Sequence, residues 1–325
     1  DVYKRQYTGW ACGDNFIYKT TNGGINWINQ PNSSTFLIQQ IHPVNDSVVY
    51  AAGWWNFLKT TDGGENWVSI FSGGPGMGMP ALDAIYFINE NTGWLGGQVS
   101  YLKTTDGGSS WKFQSSGTGN TLIHSSFIDA NTGWIAGHNG VILKTINGGN
   151  NWQIQSSGYL DNYFNTVFKN ENTGWVVGDA GIFKTTNGGA NWNRQLNEQW
   201  VYSVSFINEN TGWAGGTFGN IIKTTNGGVN WVRTKMNSVS AINSICFVNA
   251  QTGFAGVSGT TNTTGIHKTT DGGANWDRVS IYQTWSIQFI GNTGYAISTY
   301  GSIQYLNKST DLGDNWVNYL SLIHI

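Results

Sequence analysis

The chain of 325 residues is poor in charge, with Asp, Glu, Lys and Arg together making up 10% of it, against roughly 25% in an ordinary soluble chain. Its 16 basic and 18 acidic side chains leave a net charge of -2. That balance argues against a nucleic-acid partner, because phosphate neutralisation needs clustered Lys and Arg. It also argues against an acidic disordered tail. Proline occurs 4 times and cysteine twice. Cys12 and Cys246 cannot make a disulfide framework and read as small apolar strand residues. No apolar run approaches the roughly 20 residues of a membrane helix, so no membrane insertion is expected. His42, His124, His138, His267 and His324 are scattered without ligand spacing, so neither a metal nor any cofactor is expected.

Glycine and the indole ring are what the chain has in excess: 45 Gly and 17 Trp, with aromatics at 14%. They recur in order. A box of the form Lys-Thr-Thr-Asp/Asn-Gly-Gly-x-Asn-Trp occurs eight times, ending at Trp27, Trp67, Trp111, Trp152, Trp192, Trp231, Trp276 and Trp316. The seven intervals between Trp27 and Trp316 set a mean period of about 41 residues. A second motif, Asn-Thr-Gly-Trp, precedes most boxes and places an aromatic at Trp10, Trp94, Trp134, Trp175 and Trp213. Phe254 and Tyr295 replace it later, and Tyr50 holds the position in the second repeat.

The sixth repeat shows what one period makes. Residues 203–207 alternate as a strand, 208–212 turn, 213–216 and 220–225 form two more strands, and 230–234 a fourth. Nothing in it has helical periodicity. Four short antiparallel strands per period of about 40 residues predict a blade of a β-propeller. The expected fold is all-β: one domain over residues 1–325, a β-propeller of eight four-stranded antiparallel blades, with seven blades as the alternative.

Within a repeat, each recurring residue has work that needs no substrate. An Asp or Asn before Gly-Gly accepts hydrogen bonds from backbone N–H groups that the turn leaves unpaired. The box Trp covers the turn, and burying its ring contributes on the order of 4–6 kcal/mol as an upper bound. The box residue is Asp at Asp62, Asp106, Asp271 and Asp311 but Asn at Asn22, Asn147, Asn187 and Asn226. An amide caps a turn but shuttles no proton at neutral pH, so the boxes read as structural.

These boxes resemble the Asp-box, or BNR repeat, written loosely Ser/Thr-x-Asp-x-Gly-x-x-Trp. That repeat decorates propellers in sialidases, xyloglucan-active glycosidases, sortilin-type receptors and photosystem II assembly factors of the Ycf48 type. The spacing and the Gly-Trp strand look closest to the Ycf48-like proteins, and to secreted BNR-repeat proteins of Bacteroidota that carry a type IX secretion signal. The resemblance covers residues 7–316 and implies a propeller whose boxes lie away from any active site. It is specific for fold and weak for function. Sialidases clamp a carboxylate with three arginines at the central pocket, whereas Arg194, Arg233 and Arg278 here each follow a box Trp on an outer strand. The assembly factors meet their partner through an arginine patch, of which this stripe is a thin version. Its simpler reading is protection of exposed sheet edges.

Function is expected in what the pattern leaves over. Trp54, Trp55, Trp200 and Trp285 are the indoles outside both motifs, and Tyr159, Tyr163, Phe218 and Tyr300 map to the same loops, opposite the boxes. Aromatics on one face suggest a surface for a protein or glycan ligand, with a plug over the central channel as the bland reading. Two longer loops, 72–80 and 257–264, break the period on that side. A glycosidase needs paired carboxylates. Asp14, Asp83, Asp161, Asp179 and Glu198 are the loop acids available, and exposed loop acids are mostly just solvated. The expectation is a non-catalytic, exported, monomeric recognition or assembly scaffold, with a polysaccharide-active hydrolase and a Ycf48-like assembly factor as alternatives. Residues 1–6 and 320–325 match no repeat and read as sequence scars. The first repeat opens at its second strand; closing the ring would require residues 319–325 to supply the strand it lacks, which their alternation would allow.

Overall fold

Short runs of Val, Ile, Phe and Ser punctuated by Gly-rich turns have no helical stripe to bury, and they fold as antiparallel strands. The computed structural model describes residues 9–13, 16–21, 28–32, 38–45, 47–53, 56–72, 82–97, 101–114, 116–197, 200–236, 240–259, 263–290, 293–300, 303–309 and 311–321. The sixth repeat forms strands Val201–Phe206, Gly212–Gly216, Asn220–Thr224 and Val232–Lys235. They pair in chain order as one antiparallel sheet. Among the described residues there are seven such four-stranded sheets and one of three strands. The departure from strand and turn in this set is a single 3-10 turn, Thr217–Gly219.

The chain divides into two compact units, Asp1–Gln155 and Ser156–Ile325. The first holds sheets over residues 9–30, 38–72, 82–114 and 122–155; the second holds 163–196, 201–235, 241–280 and 283–321. Within the second unit the first strands of consecutive sheets lie side by side. Side chains stitch them: the N–H of Ile245 donates to Ser203 Oγ at 3.1 Å, that of Phe247 to Ser205 Oγ at 3.2 Å, and that of Ile287 to Ser244 Oγ at 3.1 Å. Cys246, one position along from these, takes the Phe289 N–H on its sulfur, and burial pushes its thiol up. In the first unit His42 does equivalent work, its Nε2 lying 3.2 Å from the N and 3.0 Å from the O of Phe87. Burial lowers its proton affinity. Both residues thus serve the fold.

Consecutive sheets are joined by three rings. Trp213 is fully buried and stacks on Phe247 of the next sheet, centroids 3.6 Å apart and planes within 4°. The box Trp276 meets that Phe edge-on at 5.9 Å. The same arrangement links Trp94, Phe127 and Trp152; Trp175, Phe206 and Trp231; Tyr50, Phe87 and Trp111; and Phe254, Phe289 and Trp316. The Gly of Asn-Thr-Gly-Trp makes room for that Phe. A Cβ on Gly212 would lie 2.5 Å from Phe206 Cδ1, and one on Gly93 2.3 Å from Phe87 Cδ1.

Two features depart from expectation. Val317–Ser321 is the fourth strand of the eighth sheet, with Tyr319 opposite Leu306. Residues 319–321 therefore do not complete the first sheet, because they continue the box-to-strand step of every other repeat; 322–325 lie outside the described residues. Every described first strand also carries a bulge against its second strand, as between Tyr163 and Asn165 or Val201 and Ser203. The alternation of the sequence gave no sign of it.

Candidate functional site

Each sheet has two ends, and the boxes occupy one. At Asp106, the Thr104 hydroxyl donates to Oδ1 at 2.8 Å, and Ser110 N–H donates to the same oxygen at 2.9 Å. Thr104 Oγ1 in turn accepts the Gly108 N–H at 2.8 Å. The Gly107 N–H reaches Asn91 O in the other turn of that sheet, also at 2.8 Å. Asp62, Asp271 and Asp311 repeat the pattern. So do Asn147, Asn187 and Asn226, whose amide oxygens accept the same N–H at 2.9 Å. Asn22 and Trp27 lie outside the described residues. Hydrogen bonds from Asn66 to Asp62, from Ser110 to Asp106 and from Asn275 to Asp271 hold these carboxylates at about 2. At Asp311 burial acts upward, but bonds from Asn315 and Ser309 outweigh it, again to about 2.

The box Lys and the indole of the Asn-Thr-Gly-Trp motif reach the next box. Lys223 lies 5.2 Å over the Trp213 ring and donates to Gly272 O in the next box at 3.1 Å. Trp213 Nε1 donates to that oxygen at 2.9 Å, as Trp94 Nε1 does to Gly148 O at 3.0 Å. Tyr50 replaces the indole faithfully, its hydroxyl donating to Gly107 O at 2.8 Å. Phe254 has no donor, and there Lys268 turns to Asp314 at 2.6 Å. Trp67 and Trp192 are buried, and Trp111, Trp152, Trp231, Trp276 and Trp316 half-buried. The Thr, Asp and Asn groups of this end are thus committed to the fold, while the buried Nε1 of Trp67, Trp192, Trp231 and Trp316 has no hydrogen-bond partner.

The opposite end is less self-contained. Trp200, Phe218, Trp285 and Tyr159 are 46%, 66%, 50% and 39% exposed. Trp200 and Phe218 both have φ of 57°, a left-handed backbone that costs a residue with a side chain roughly 1–3 kcal/mol. It is held by backbone bonds: Trp200 N–H to Asp179 O at 3.3 Å, Thr217 N–H to Trp200 O at 3.2 Å and Gly219 N–H to Ser240 O at 2.8 Å. The Trp200 ring neighbours Phe164, which also meets Tyr202. Phe164 and Tyr202 were not singled out from sequence, since nothing but the bulge distinguishes them from ordinary strand residues. Tyr163 corrects the expected surface. It is fully buried, because it is the first residue of a strand and not the last of a loop, and its hydroxyl is hydrogen-bonded with Ser157. Burial lifts its phenol to about 12. Tyr300 ends a strand opposite Ile303; Trp54 and Trp55 lie outside the described residues, as do residues 73–80 of one long loop and 260–262 of the other.

The charged candidates separate. Arg194, Arg233 and Arg278 all sit on fourth, edge strands. Arg194 folds back: it donates to Ala180 O and Asn197 Oδ1 and lies 5.1 Å over the Tyr159 ring. Asp179 Oδ2 accepts from the N and Nδ2 of Asn162, at 3.3 and 2.9 Å. Asp161 is in the loop entering the same sheet, and Asp14 and Glu198 lie outside the described residues. Among the described residues no group of His, Cys, Asp and Glu could hold a metal ion, and no helix is long and apolar enough to cross a membrane.

Four-stranded antiparallel sheets whose Asp- or Asn-Gly-Gly turns are braced by their own side chains resemble the Asp-box repeats of propellers. The comparisons agree: residues 76–153 and 113–201 match the family model described as photosynthesis system II assembly factor YCF48. YCF48 bound to a D1 peptide is similar, with a TM-score of 0.60 at 17% identity, over 77% of this chain and 86% of that one. An ancestral GH74 enzyme has a TM-score of 0.67 at 16% identity, over 86% of this chain but 45% of that one. PorZ, a surface component of the type-IX secretion system of Porphyromonas gingivalis, has 0.55 at 10% identity, over 96% and 44%. No curated protein sequence matches. At such identities the structural likeness is one of fold.

Proposed function

We propose that the sheets are the eight blades of one β-propeller and that the protein is an exported, non-catalytic recognition scaffold. Its ligand, a protein or peptide, meets the end of the sheets away from the boxes. The carrying observation is the asymmetry between the two ends. At the box end the Thr, Asp and Asn side chains and Lys223 are tied into the turns or the next box, whereas the other end presents Trp200, Phe218 and Trp285 at 46%, 66% and 50% exposure. Exposed aromatics of this kind anchor partners. The fold is compatible with peptide binding, as YCF48 bound to a D1 peptide illustrates for that protein. A non-catalytic role is favoured because Asp179 braces Asn162. The carboxylates of Asp62, Asp106, Asp129, Asp271 and Asp311 are moved downward, away from what a general acid needs.

The test is a binding screen against peptide and glycan arrays with the full chain and its Trp200→Ala, Phe218→Ala and Trp285→Ala variants. A ligand lost in these variants at unchanged unfolding midpoint supports the reading. Turnover of a polysaccharide, abolished by Asp179→Asn, would replace it with a hydrolase.

A further inference from the structure

An Asn followed by Gly carries a latent reaction, because no side chain shields the next backbone nitrogen from the Asn amide carbon. The sequence holds five such pairs: Asn22-Gly23, Asn139-Gly140, Asn147-Gly148, Asn187-Gly188 and Asn226-Gly227. All but Asn139-Gly140 stand in boxes, and Asn22 lies outside the described residues. In the three box pairs described, the Gly is buried and its nitrogen already engaged. The N–H of Gly148 donates to Asn131 O at 2.8 Å, that of Gly188 to Asn172 O at 2.9 Å and that of Gly227 to Asn210 O at 2.7 Å. The Asn oxygen is held as well. Asn187 Oδ1 accepts from the Thr185 hydroxyl at 3.0 Å and from the Asn191 N–H at 2.9 Å, and Asn147 and Asn226 repeat this.

Asn139-Gly140 stands outside that bracing. It is the tip between the second and third strands of the fourth sheet, Gly133–Gly137 and Ile142–Thr145, at the end away from the boxes. Asn139 and Gly140 have φ of 54° and 74°, so the pair suits a tight hairpin turn on its own account. The Val141 N–H closes that turn on His138 O at 3.3 Å. Asn139 is exposed and Gly140 half-buried. Among the described residues the Gly140 N–H makes no backbone hydrogen bond. Asn139 Nδ2 donates to Asn120 Oδ1 at 2.9 Å, an exposed bond that water replaces at little net cost.

We infer that Asn139 is a site of spontaneous deamidation, and that the box turns protect Asn147, Asn187 and Asn226 from the same reaction. The Gly140 nitrogen loses its proton and attacks Asn139 Cγ. An N–C bond forms, the Cγ–Nδ2 bond breaks, and the side-chain nitrogen leaves as ammonia with a proton in exchange. Water then opens the cyclic imide at one carbonyl or the other, giving aspartate or isoaspartate. Either product puts a carboxylate at this end of the sheet, and isoaspartate also adds a carbon to the backbone of the turn. The inference concerns the chain's own chemistry and is independent of any ligand.

The folded full chain is incubated at mildly alkaline pH, and each Asn-Gly pair is followed by peptide mapping for conversion of amide to acid. Labelling by isoaspartate methyltransferase marks the iso product. Asn139 is expected to convert about 10-fold or more faster than Asn147, Asn187 and Asn226, because a box must first give up the bonds on its Gly nitrogen and its Asn oxygen. In denaturant the difference should largely vanish, since every pair then presents the same unhindered glycine. Thr185→Val removes one bond from Asn187 and should speed conversion there while leaving Asn147 unchanged. Thr185→Ser, which keeps the hydroxyl, should restore the slow rate. Equal rates at Asn139 and the box residues of the folded chain overturn the inference. So does a ratio that persists in denaturant, or an Asn139 that stays intact in the folded chain while the denatured chain converts.

Discussion

Trp213 contributes twice, as a buried surface and as a donor, and the two contributions separate by mutation. Trp213→Ala removes the ring that Phe247 stacks on and is expected to cost about 3–5 kcal/mol in urea unfolding. Trp213→Phe keeps a ring for the stack but loses the bond to Gly272 O and the buried second ring of the indole, together a loss of about 1–3 kcal/mol. Phe254 shows that the chain tolerates that version naturally. The glycine before the indole is the stricter position. Gly212→Ala would put a methyl group 2.5 Å from Phe206 and should destabilise by about 1–3 kcal/mol through overpacking. The indoles were legible in the sequence because they recur in fixed company. Phe206 and Phe247 were not, because a Phe at a strand end reads as simple alternation until the neighbouring sheet is in place.

At the scale of the turn, the hydroxyl before the acid matters more than the acid's charge. Thr185 Oγ1 accepts the Gly189 N–H and donates to Asn187, so Thr185→Val is expected to cost about 1–3 kcal/mol by leaving a buried N–H unpaired. Asn187→Asp should be near neutral, since Asp106 makes the same bonds; chemical denaturation of the pair checks both. Strand order within each repeat could be read from sequence because period-2 runs and Gly-rich turns fix it locally. The bulges could not, since they exist only in the register between two strands. Tyr163 was misplaced for the same reason: one residue separates loop from strand there, and the pairing with Gly178 decides it. Trp200 was recognisable as surplus to the repeat, but its neighbours Phe164 and Tyr202 needed the bulge to be seen.

Over the whole molecule the four acidic boxes act together on acid stability. Asp62, Asp106, Asp271 and Asp311 are held at about 2 in the folded chain, below the unfolded carboxylate value of about 4. A depressed folded value contributes stability above the unfolded one, and the contribution is lost as pH falls through the window between them. Thermal midpoints should therefore hold steady down to about pH 4 and drop towards pH 2. A variant with Asn at all four positions should show a shallower drop over that window in a pH series, because Asn147, Asn187 and Asn226 already make the same turn bonds without a proton to gain. The three-ring joint also has a direction. In the five joints described the plug is the indole or its substitute on the earlier sheet, and the socket is the Phe and box Trp of the later one. Every copy so built carries both halves of the joint, so a whole copy added or removed would leave each remaining neighbour a matching partner.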